Sequence, residues 1–388
     1  MIHFNRPHMT GRETEYIRQA VEGGKISGNG AFTRRCQDFL ERRYGFRKCL
    51  LTTSCTDALE MAAILTDVGP GDEVIVPSYT FVSSALAFVR QGATVVFADS
   101  CADQPNIDAA KIEALVTPKT KVIVPVHYAG VACDMDAIMD VANRHGLLVV
   151  EDAAQAIDSF YVGRDGVRRP LGSIGHLAAF SFHETKNIIS GEGGLLAVND
   201  ERFVRRAEII WEKGTNRAEF FRGEVNKYGW VDTGSSFLPT EVVSAFLWAQ
   251  LEHLDEIQSE RRRLWERYRR FFSGFRPNGF ELGLPVVPES ATNNAHMFYL
   301  LFPDLARRTD FIAAMRAKDV LCVFHYLPLH SSDFYRKYAL SHRPSSSDLQ
   351  PFLPNCDRYA DTLVRLPLYC GLGPDQDAVL AAAQEALS

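Results

Sequence analysis

The sequence predicts an α/β protein with a large N-terminal part built on a mostly parallel sheet and a smaller C-terminal α+β part. From about residue 48 to residue 200, short apolar strand-like runs alternate with helical patterns, as they do when helices cover both faces of a sheet. The chain has 388 residues, which is enough for two domains and a large hydrophobic interior. We therefore expect a sheet-centred fold with a second, smaller unit.

The candidate strands are rich in valine, isoleucine and leucine. Several are nearly continuous in these residues, which is typical of strands that helices cover on both faces. In chain order the runs are CLLTT, EVIVPS, TVVFAD, KVIVPVHY, LLVVEDA and LAAFSF.

The chain after residue 240 has a different pattern. Apolar residues recur at three- and four-residue steps from Leu247 to Phe271, which predicts one long helix from near 240 to 272. Beyond it, MFYLLF and LCVFHYLPLH indicate a smaller α+β segment, which the Ser/Pro-rich stretch SHRPSSSDLQP interrupts as a loop. We predict two domains, residues 1–250 and residues 251–388.

Composition and charge exclude several classes of function. The net charge of −6 argues against nucleic-acid binding, and the arginine run at 261–263 falls in a helical pattern, where we expect it on the solvated face. No stretch has the ~20 apolar residues of a membrane span, and MIHFNRPHMTG lacks the apolar core of a secretory signal, so we expect a cytoplasmic protein. The eight cysteines form no C-x-x-C pair, so no metal site is expected.

Two charged residues come after neighbouring strand candidates. Asp152 ends the run LLVVED, and Lys186 comes shortly after LAAFSF, so both are expected at the edge of the sheet where α/β proteins bind ligands. Taken alone, Asp152 fits a helix N-cap and Lys186 fits a solvated charge. Taken together, an amine that attacks an aldehyde and a carboxylate that keeps a pyridine nitrogen protonated indicate pyridoxal 5′-phosphate.

The sequence also predicts a phosphate-binding site. The stretch LLTTSCTDALEMAAIL predicts a strand, a hydroxyl-rich turn and a helix, and Ser54, Cys55 and Thr56 lie where helix N–H groups favour an anion. Ser181 could add a hydroxyl, and Phe81 could lie on the pyridine ring, although a lone phenylalanine also fits the core. The glycines of GEGG, residues 191–194, fit a tight turn or a close backbone approach.

The chain resembles the DegT/DnrJ/EryC1/StrS sugar aminotransferases along nearly its whole length. The motifs that carry the resemblance are SCTDALEMAA, PSYTFVSSA, VPVHYAGVACDMD, VVEDAAQA, SFHETKN and EKGTNRAEFFRG. The likeness is greatest to the family members that make dTDP-4-amino-4,6-dideoxygalactose. The resemblance implies the aspartate aminotransferase-like fold of pyridoxal phosphate-dependent transferases (fold type I), with a seven-stranded, mostly parallel sheet.

The resemblance also implies roles for individual residues. Lys186 matches the lysine that binds the cofactor covalently, and Asp152 matches the partner of the pyridine nitrogen. The other implied cofactor contacts are Gln155 at the phenolic oxygen, Phe81 at the ring, and Cys55, Thr56 and Ser181 at the phosphate. Ser236, in GSSF, replaces an asparagine that in many relatives reaches the neighbouring subunit's phosphate. His183 and His325 are substrate candidates, and a structural role fits each of them equally well.

The implied reaction is transfer of an amino group from L-glutamate to C4 of dTDP-4-keto-6-deoxy-D-glucose, giving dTDP-4-amino-4,6-dideoxy-D-galactose. The implied assembly is a homodimer with shared active sites, with GEGG and TNRAEFFRG near the interface.

Three alternatives stay open: the 4-amino-4,6-dideoxyglucose epimer, a pyridoxal phosphate-dependent sugar dehydratase, and a non-catalytic regulator. The dehydratases carry histidine where this chain has Lys186, and a regulator would need a basic face. A nucleotide-sugar oxidoreductase would need G-x-G-x-x-G where the chain has TTSCTD.

Overall fold

The computed structural model describes residues 1–277, 279–342 and 352–388. The strands of this part of the chain are β1 Lys48–Thr52, β2 Glu73–Pro77, β3 Thr94–Ala98, β4 Thr120–Ile123, β5 Leu148–Asp152, β6 Phe160–Val162, β7 Arg168–Pro170, β8 Leu177–Ser181, β9 Gly194–Val198, β10 Phe298–Leu301, β11 Val323–Phe324 and β12 Leu363–Leu366. All six predicted strands are confirmed, although the fourth is shorter than its apolar run. The strand β9 was not among the predicted runs.

The helices separate most of these strands, as the alternating pattern predicted. They are α1 Glu13–Glu22, α2 Ala31–Tyr44, α3 Cys55–Leu65, α4 Ser83–Arg90, α5 Ala109–Ile112, α6 Met135–His145, α7 Glu201–Trp211, α8 Arg217–Phe221, α9 Glu241–Glu252, α10 Leu254–Gly274, α11 Leu305–Ala317, α12 Asp333–His342, α13 Pro354–Thr362 and α14 Gln376–Leu387. Among the described residues, no helix is both long and apolar enough to cross a membrane.

The main sheet has seven strands in the order β1-β9-β8-β5-β4-β2-β3. Five neighbouring strands, from β8 to β3, are parallel, and β9 is antiparallel to both β1 and β8. Consequently β1 runs in the same direction as the five parallel strands. The predicted seven-stranded, mostly parallel sheet is confirmed, and the carboxyl ends of six of its strands lie at one edge.

Both faces of the sheet are buried. Successive strand residues point to opposite faces, and Val74 and Val76 pack in one hydrophobic cluster whereas Ile75 packs in another. This burial explains the nearly continuous apolar runs, because a strand covered on both faces has no solvated side for polar residues.

The predicted single helix from 240 to 272 is wrong in one respect: it is two helices, α9 and α10, separated at His253. The backbone of His253 has left the helical conformation, with ψ of 15°, and its N–H donates to the Gln250 carbonyl in a tighter turn. Neither glycine nor proline marks the break. Leu251 and Leu254, on the two sides of the break, still pack in one cluster, and it is α10 that leads from this cluster to the C-terminal core, where Leu264 packs.

Arg261 also corrects a sequence prediction, because it is buried and does not lie on a solvated helix face. Its guanidinium donates hydrogen bonds to the carbonyls of Ala295 and His296, at 3.1 and 2.7 Å. The arginine side chain therefore ties α10 to the segment that leads into β10.

The C-terminal part is built on a three-stranded antiparallel sheet of order β10-β12-β11 with its own hydrophobic core. The predicted Ser/Pro-rich loop falls mainly on residues 343–351, which lie outside the described residues. The start of the chain joins this part, since Ile2 pairs with Val320. The domain division at residue 250 stays a prediction.

Candidate active site

A cavity of about 1020 Å³ lies at the carboxyl edge of the main sheet, between it and the small sheet. It brings together ten of the eleven residues singled out from the sequence: Ser54, Cys55, Thr56, Phe81, Asp152, Gln155, Ser181, His183, Lys186 and His325. They come from five places in the chain, and the shared direction of the strands accounts for their convergence.

Asp152 is the last residue of β5, and it is buried. Its Oδ2 accepts a hydrogen bond from the Ser84 hydroxyl at 2.6 Å, and its Oδ1 accepts from the Ala154 N–H at 3.1 Å. Thr80 and Ser84 form a further hydroxyl pair at 2.9 Å. The next element after Asp152 is the strand β6 and not a helix, so the N-cap interpretation is wrong. The carboxylate is instead held rigidly by groups that satisfy part of its hydrogen-bonding capacity and leave it facing the cavity.

Lys186 lies in the loop between β8 and β9, and its side chain lines the cavity. Its own N–H donates to the His183 carbonyl at 2.9 Å, which fixes the backbone. Burial lowers the pKa of Lys186 below its usual range, while the nearby Cys55 and Asp152 oppose this effect. Within the described part of the chain, no carboxylate lies within salt-bridge distance of the amine. Lys186 is therefore an available amine with a weakened preference for the charged form, which suits a nucleophile or a base.

The turn after β1 forms one wall of the cavity. Ser54 caps α3 by accepting a hydrogen bond from the Asp57 N–H, and the Thr56 hydroxyl pairs with that of Ser83 at 2.7 Å. The first N–H groups of a helix have no intrahelical partner, so this turn presents donors to an anion. Burial raises the pKa of the Cys55 thiol well above its usual range, so the thiol stays protonated.

Gly194 makes this arrangement sterically possible. A Cβ at this position would lie 2.4 Å from the carbonyl carbon and oxygen of Ser54 and 2.5 Å from the amide nitrogen of Cys55. The predicted close backbone approach of the GEGG glycines is thereby confirmed at Gly194, which pairs with Thr52 on one side and Ser181 on the other.

Gln155 is fixed at both ends of its amide. Its Oε1 accepts from the Ala129 N–H at 2.6 Å, and its Nε2 donates to the Tyr326 hydroxyl at 2.9 Å. Burial raises the pKa of Tyr326, so its hydroxyl keeps a proton that it can donate into the cavity.

Phe81 is 55% exposed and lies with its ring centre 6.2 Å from that of Tyr326. An exposed aromatic side chain at a cavity mouth is available to cover a planar ligand.

The two predicted histidines differ in their surroundings. His325 is buried, and its Nδ1 lies 2.6 Å from the Tyr128 hydroxyl. Burial lowers the pKa of His325 and raises that of Tyr128, which favours the neutral form of both groups. His183 is only half-buried, and its Nδ1 accepts from the Thr185 N–H at 3.2 Å.

Two groups of the cavity were not predicted from the sequence: His296, which is buried, and Arg365, which is partly buried. The Asn187 amide donates to Gln258 and Asn294, so its oxygen accepts from His296 Nδ1 at 2.9 Å and the His296 Nε2 is left as an acceptor. Arg365 interrupts the apolar strand LVRL, and that interruption was a readable signal.

Ser236 is exposed and is absent from the residues that line the cavity. Its backbone bridges to Glu212. The role predicted for it concerns a neighbouring subunit, so it stays a prediction.

Comparison with known proteins assigns the fold to a family. Residues 7–384 match the model of the DegT/DnrJ/EryC1/StrS aminotransferase family. The chain is 32% identical over 390 residues to the spore coat polysaccharide biosynthesis protein SpsC of Bacillus subtilis, covering 98% of this chain and 96% of that protein. It is 35% identical over 295 residues to GDP-perosamine synthase of Caulobacter vibrioides, covering 76% of this chain and 74% of that protein.

Solved structures agree with this assignment. The PLP-form of Spr1654 from Streptococcus pneumoniae superposes with a TM-score of 0.86 at 25% identity, and the match covers 100% of both chains. The dehydratase and regulator alternatives find no support in these matches. The chain therefore belongs to the DegT/DnrJ/EryC1/StrS family and is a pyridoxal phosphate-dependent sugar aminotransferase.

Proposed function

We propose that the chain transfers the amino group of L-glutamate to C4 of dTDP-4-keto-6-deoxy-D-glucose and releases dTDP-4-amino-4,6-dideoxy-D-galactose. The observation that carries the chemistry is the placement of Lys186 and Asp152 in one cavity beside the N-terminus of α3. An amine, a buried carboxylate and an anion-binding turn are the three groups that a pyridoxal phosphate enzyme requires.

The residues of the cavity fit this cofactor. Lys186 would bind its aldehyde, because the amine has no competing carboxylate within salt-bridge distance among the described residues. Asp152 would face the pyridine nitrogen, since Ser84 and Ala154 hold the carboxylate in place. The turn that includes Thr56 would hold the phosphate, and its close packing on Gly194 fixes its position.

When bound, the cofactor supplies an electron sink that lets an amino group leave the donor and join the acceptor. Lys186 Nζ removes a proton from the reacting carbon of the donor, and in the second half of the reaction it returns a proton to C4 of the sugar. Burial lowers the pKa of Lys186 and so favours the neutral amine, which is the form that accepts a proton. Tyr326 presents an O–H donor that can orient a substrate oxygen, and His325 lines the same cavity.

The sugar is assigned by likeness, because the motifs from SCTDALEMAA to EKGTNRAEFFRG resemble most the members that make dTDP-4-amino-4,6-dideoxygalactose. A second candidate is a GDP-linked sugar, which the similarity to GDP-perosamine synthase favours. The epimeric 4-amino-4,6-dideoxyglucose product differs only in which face of C4 receives the proton.

We also propose that the protein is a homodimer with shared active sites. The segment that includes EKGTNRAEFFRG and GSSF exposes several large apolar side chains, among them Phe221 at 69% and Trp230 at 85%. Exposed apolar groups grouped in one segment are typical of an interaction surface. A second copy covering this segment would bring Ser236 to the phosphate of its neighbour.

The test is incubation of the purified protein with L-glutamate and one of two sugars. The first is dTDP-4-keto-6-deoxyglucose, and the second is GDP-4-keto-6-deoxymannose. Mass spectrometry identifies the aminated nucleotide sugar, and NMR coupling constants assign the C4 configuration. An axial amine on the dTDP sugar supports the proposal. An equatorial amine, or amination of only the GDP-linked sugar, contradicts it. Light scattering at several concentrations measures the oligomeric state, and a stable monomer contradicts the shared site.

A further inference from the structure

His296 is a buried residue of the cavity wall, and only one of its two ring nitrogens has a partner in the protein. Its Nδ1 donates to the Asn187 Oδ1 at 2.9 Å. The direction of this bond is fixed, because the Asn187 amide nitrogen donates to the backbone carbonyl of Asn294 at 2.8 Å and so turns its oxygen toward the imidazole. Among the described residues, no group forms a hydrogen bond with the His296 Nε2. This nitrogen is therefore available to a ligand.

The surroundings favour a neutral imidazole. Burial lowers the pKa of His296 well below its usual range, and the positive charges of Lys186, Arg261 and Arg365 lower it further. A neutral imidazole that carries its proton on Nδ1 has a bare Nε2, which accepts a hydrogen bond and cannot donate one. A group that binds there must carry a hydrogen-bond donor.

The backbone around His296 is held in one conformation. Its N–H donates to the Asn294 Oδ1 at 3.0 Å, and its carbonyl accepts from Arg261 at 2.7 Å. Ala295, the residue before it, has a φ of 55°, which is unfavourable for alanine. The Asn294 amide also donates to the Gln155 carbonyl at 2.8 Å. Strain that the surrounding contacts impose in this way is concentrated at ligand sites.

Asn187 fixes the imidazole relative to Lys186, because Asn187 is the next residue in the chain. Its side chain is buried, and it also donates to the Gln258 Oε1 at 2.8 Å. Lys186 and His296 line the same cavity and are close enough for the lysine charge to influence the imidazole. A sugar whose carbonyl carbon reacts at Lys186 therefore brings its nearest substituents toward His296.

The chemistry of the proposed reactants leaves one kind of donor for the His296 Nε2. The amino group of L-glutamate is the group transferred, and its carboxylates only accept hydrogen bonds. The keto oxygen at C4 of the sugar is also an acceptor. On the neighbouring carbons, C5 of a 6-deoxy sugar carries a methyl group and the ring oxygen, whereas C3 carries a hydroxyl. The hydroxyl on C3 is thus the donor nearest to the reacting carbon.

We propose that the His296 Nε2 accepts a hydrogen bond from the C3 hydroxyl of the keto sugar and makes the enzyme select sugars that carry this hydroxyl. The inference rests on the proposed function, in which the amino acceptor is a nucleotide-linked 4-keto-6-deoxy sugar. A sugar without the hydroxyl leaves the buried nitrogen unpaired, and a site built to bind a hydroxyl rejects analogues that lack it. Asn187 is a positioning residue for this contact, because it places the imidazole proton on Nδ1.

The first test measures binding without turnover. The probes are dTDP-6-deoxyglucose, which has a hydroxyl in place of the C4 ketone and cannot be aminated, and its 3-deoxy analogue; each is titrated calorimetrically into the cofactor-loaded protein. We expect the wild type to bind the 3-deoxy analogue about tenfold more weakly, the effect of leaving a buried acceptor unpaired. His296→Asn keeps a donor at the Nδ1 position and has no atom at the Nε2 position, so it should bind the two probes within about twofold of each other. His296→Gln places an amide oxygen near the Nε2 position and should keep part of the preference.

The second test separates the two half-reactions by stopped-flow spectroscopy. Protein loaded with pyridoxamine phosphate is mixed with dTDP-4-keto-6-deoxyglucose, and protein loaded with pyridoxal phosphate is mixed with L-glutamate. We expect His296→Asn to slow the sugar half-reaction about tenfold at low sugar concentration and to leave the glutamate half-reaction within about twofold. A purely structural role of His296 would slow both half-reactions.

His176→Asn is the matched control. His176 is also partly buried, burial also lowers its pKa, and its Nδ1 accepts from the Val149 N–H at 3.0 Å, but His176 does not line the cavity. This variant should keep the wild-type preference for the 3-hydroxyl probe and the wild-type rates of both half-reactions.

Three results overturn the proposal. The first is a wild type that binds the 3-deoxy probe as tightly as the 3-hydroxyl probe, and this result requires no variant to fold. The second is His296→Asn with the full wild-type preference. The third is His296→Asn with both half-reactions slowed equally, which assigns the imidazole to Lys186 or to the fold. If the wild type aminates only GDP-4-keto-6-deoxymannose, the proposed substrate fails, and GDP-6-deoxymannose with its 3-deoxy analogue then tests His296 in the same way.

Discussion

Gly194→Ala is the substitution whose consequence the structure defines most sharply. Gly194 begins β9 and sits between Thr52 of β1 and Ser181 of β8, the ends of the two strands that lead into the cofactor site. Its φ does not lie in the left-handed region, so an alanine meets no backbone strain of its own. The whole effect of the substitution is therefore steric.

The magnitude is set by the contact distances. The new methyl group would lie 2.4 Å from the Ser54 carbonyl carbon, about 1 Å inside the 3.4 Å at which ordinary contact begins. The obstructing atoms are backbone, so no side-chain rotation relieves the overlap, and the turn before α3 must move. Overpacking of this kind costs about 1–3 kcal/mol of stability. A displaced turn also misplaces the N–H groups that we propose bind the phosphate, and a loss of about 1.4 kcal/mol there is a tenfold loss of cofactor affinity.

The assay combines urea unfolding of the apoprotein with equilibrium dialysis of pyridoxal phosphate. Gly274→Ala is the control, because Gly274 ends α10 and its Cβ would meet nothing within 4 Å. We expect Gly194→Ala to lose both stability and cofactor affinity, and Gly274→Ala to lose neither. Unchanged unfolding and unchanged cofactor affinity in Gly194→Ala would refute the idea that a close backbone contact shapes the phosphate turn.

Three further predictions concern the charged groups of the cavity. Lys186→Ala should abolish turnover and the covalent attachment of the cofactor, which borohydride reduction and mass spectrometry detect; a variant that still turns over would remove Lys186 from the mechanism. Asp152→Asn should keep the cofactor bound yet slow both half-reactions on the order of 100-fold, the usual effect of removing one preorganised charge; stopped-flow rates equal to those of the wild type would contradict this. Burial lowers the pKa of His296 and His325 well below the ordinary 6.5. As the pH falls, these histidines therefore bind protons in the unfolded chain but remain neutral in the folded chain. Stability present above pH 6.5 should therefore be lost as the pH falls, by up to about 1.4 kcal/mol per pH unit for each histidine, and urea unfolding at pH 8.0, 6.5 and 5.5 measures it. His325→Gln should make that loss shallower, and an unchanged slope would show that the His325 pKa is not depressed.

The cavity residues that the sequence identified share one local property: most of them end a buried strand or come shortly after one. Asp152 stands at the end of LVVED and Ser181 at the end of LAAFS, so the change from apolar to polar marks the sheet edge. Cys55 and Thr56 begin α3 directly after the turn that ends β1, and the helix start is visible in the hydroxyl-rich turn. Such signals need no knowledge of the rest of the fold.

The predictions that failed involve packing between distant elements. Arg261 occupies a helix position whose charge suggested solvent, but the segment leading into β10 buries it against two carbonyl groups. His253 ends α9 although its residue type does not disfavour helix, and Leu251 and Leu254 on its two sides pack in the same cluster. Burial of this kind is decided by the partner surface and not by the local sequence.

The sequence by itself determined the α/β class, the common edge of the strands and the pairing of Lys186 with Asp152, because buried parallel strands require apolar runs and bring the residues at their carboxyl ends to one edge. Only the tertiary structure decided that Arg365 faces Phe4 across the cavity from that edge and that no carboxylate of the described residues neutralises it. Phe4, Lys186 and Arg365 are far apart in the chain, and local periodicity carries no information about which distant charges meet. Their encounter depends on how the small sheet packs on the large one, and that packing is set by the summed contacts of both cores.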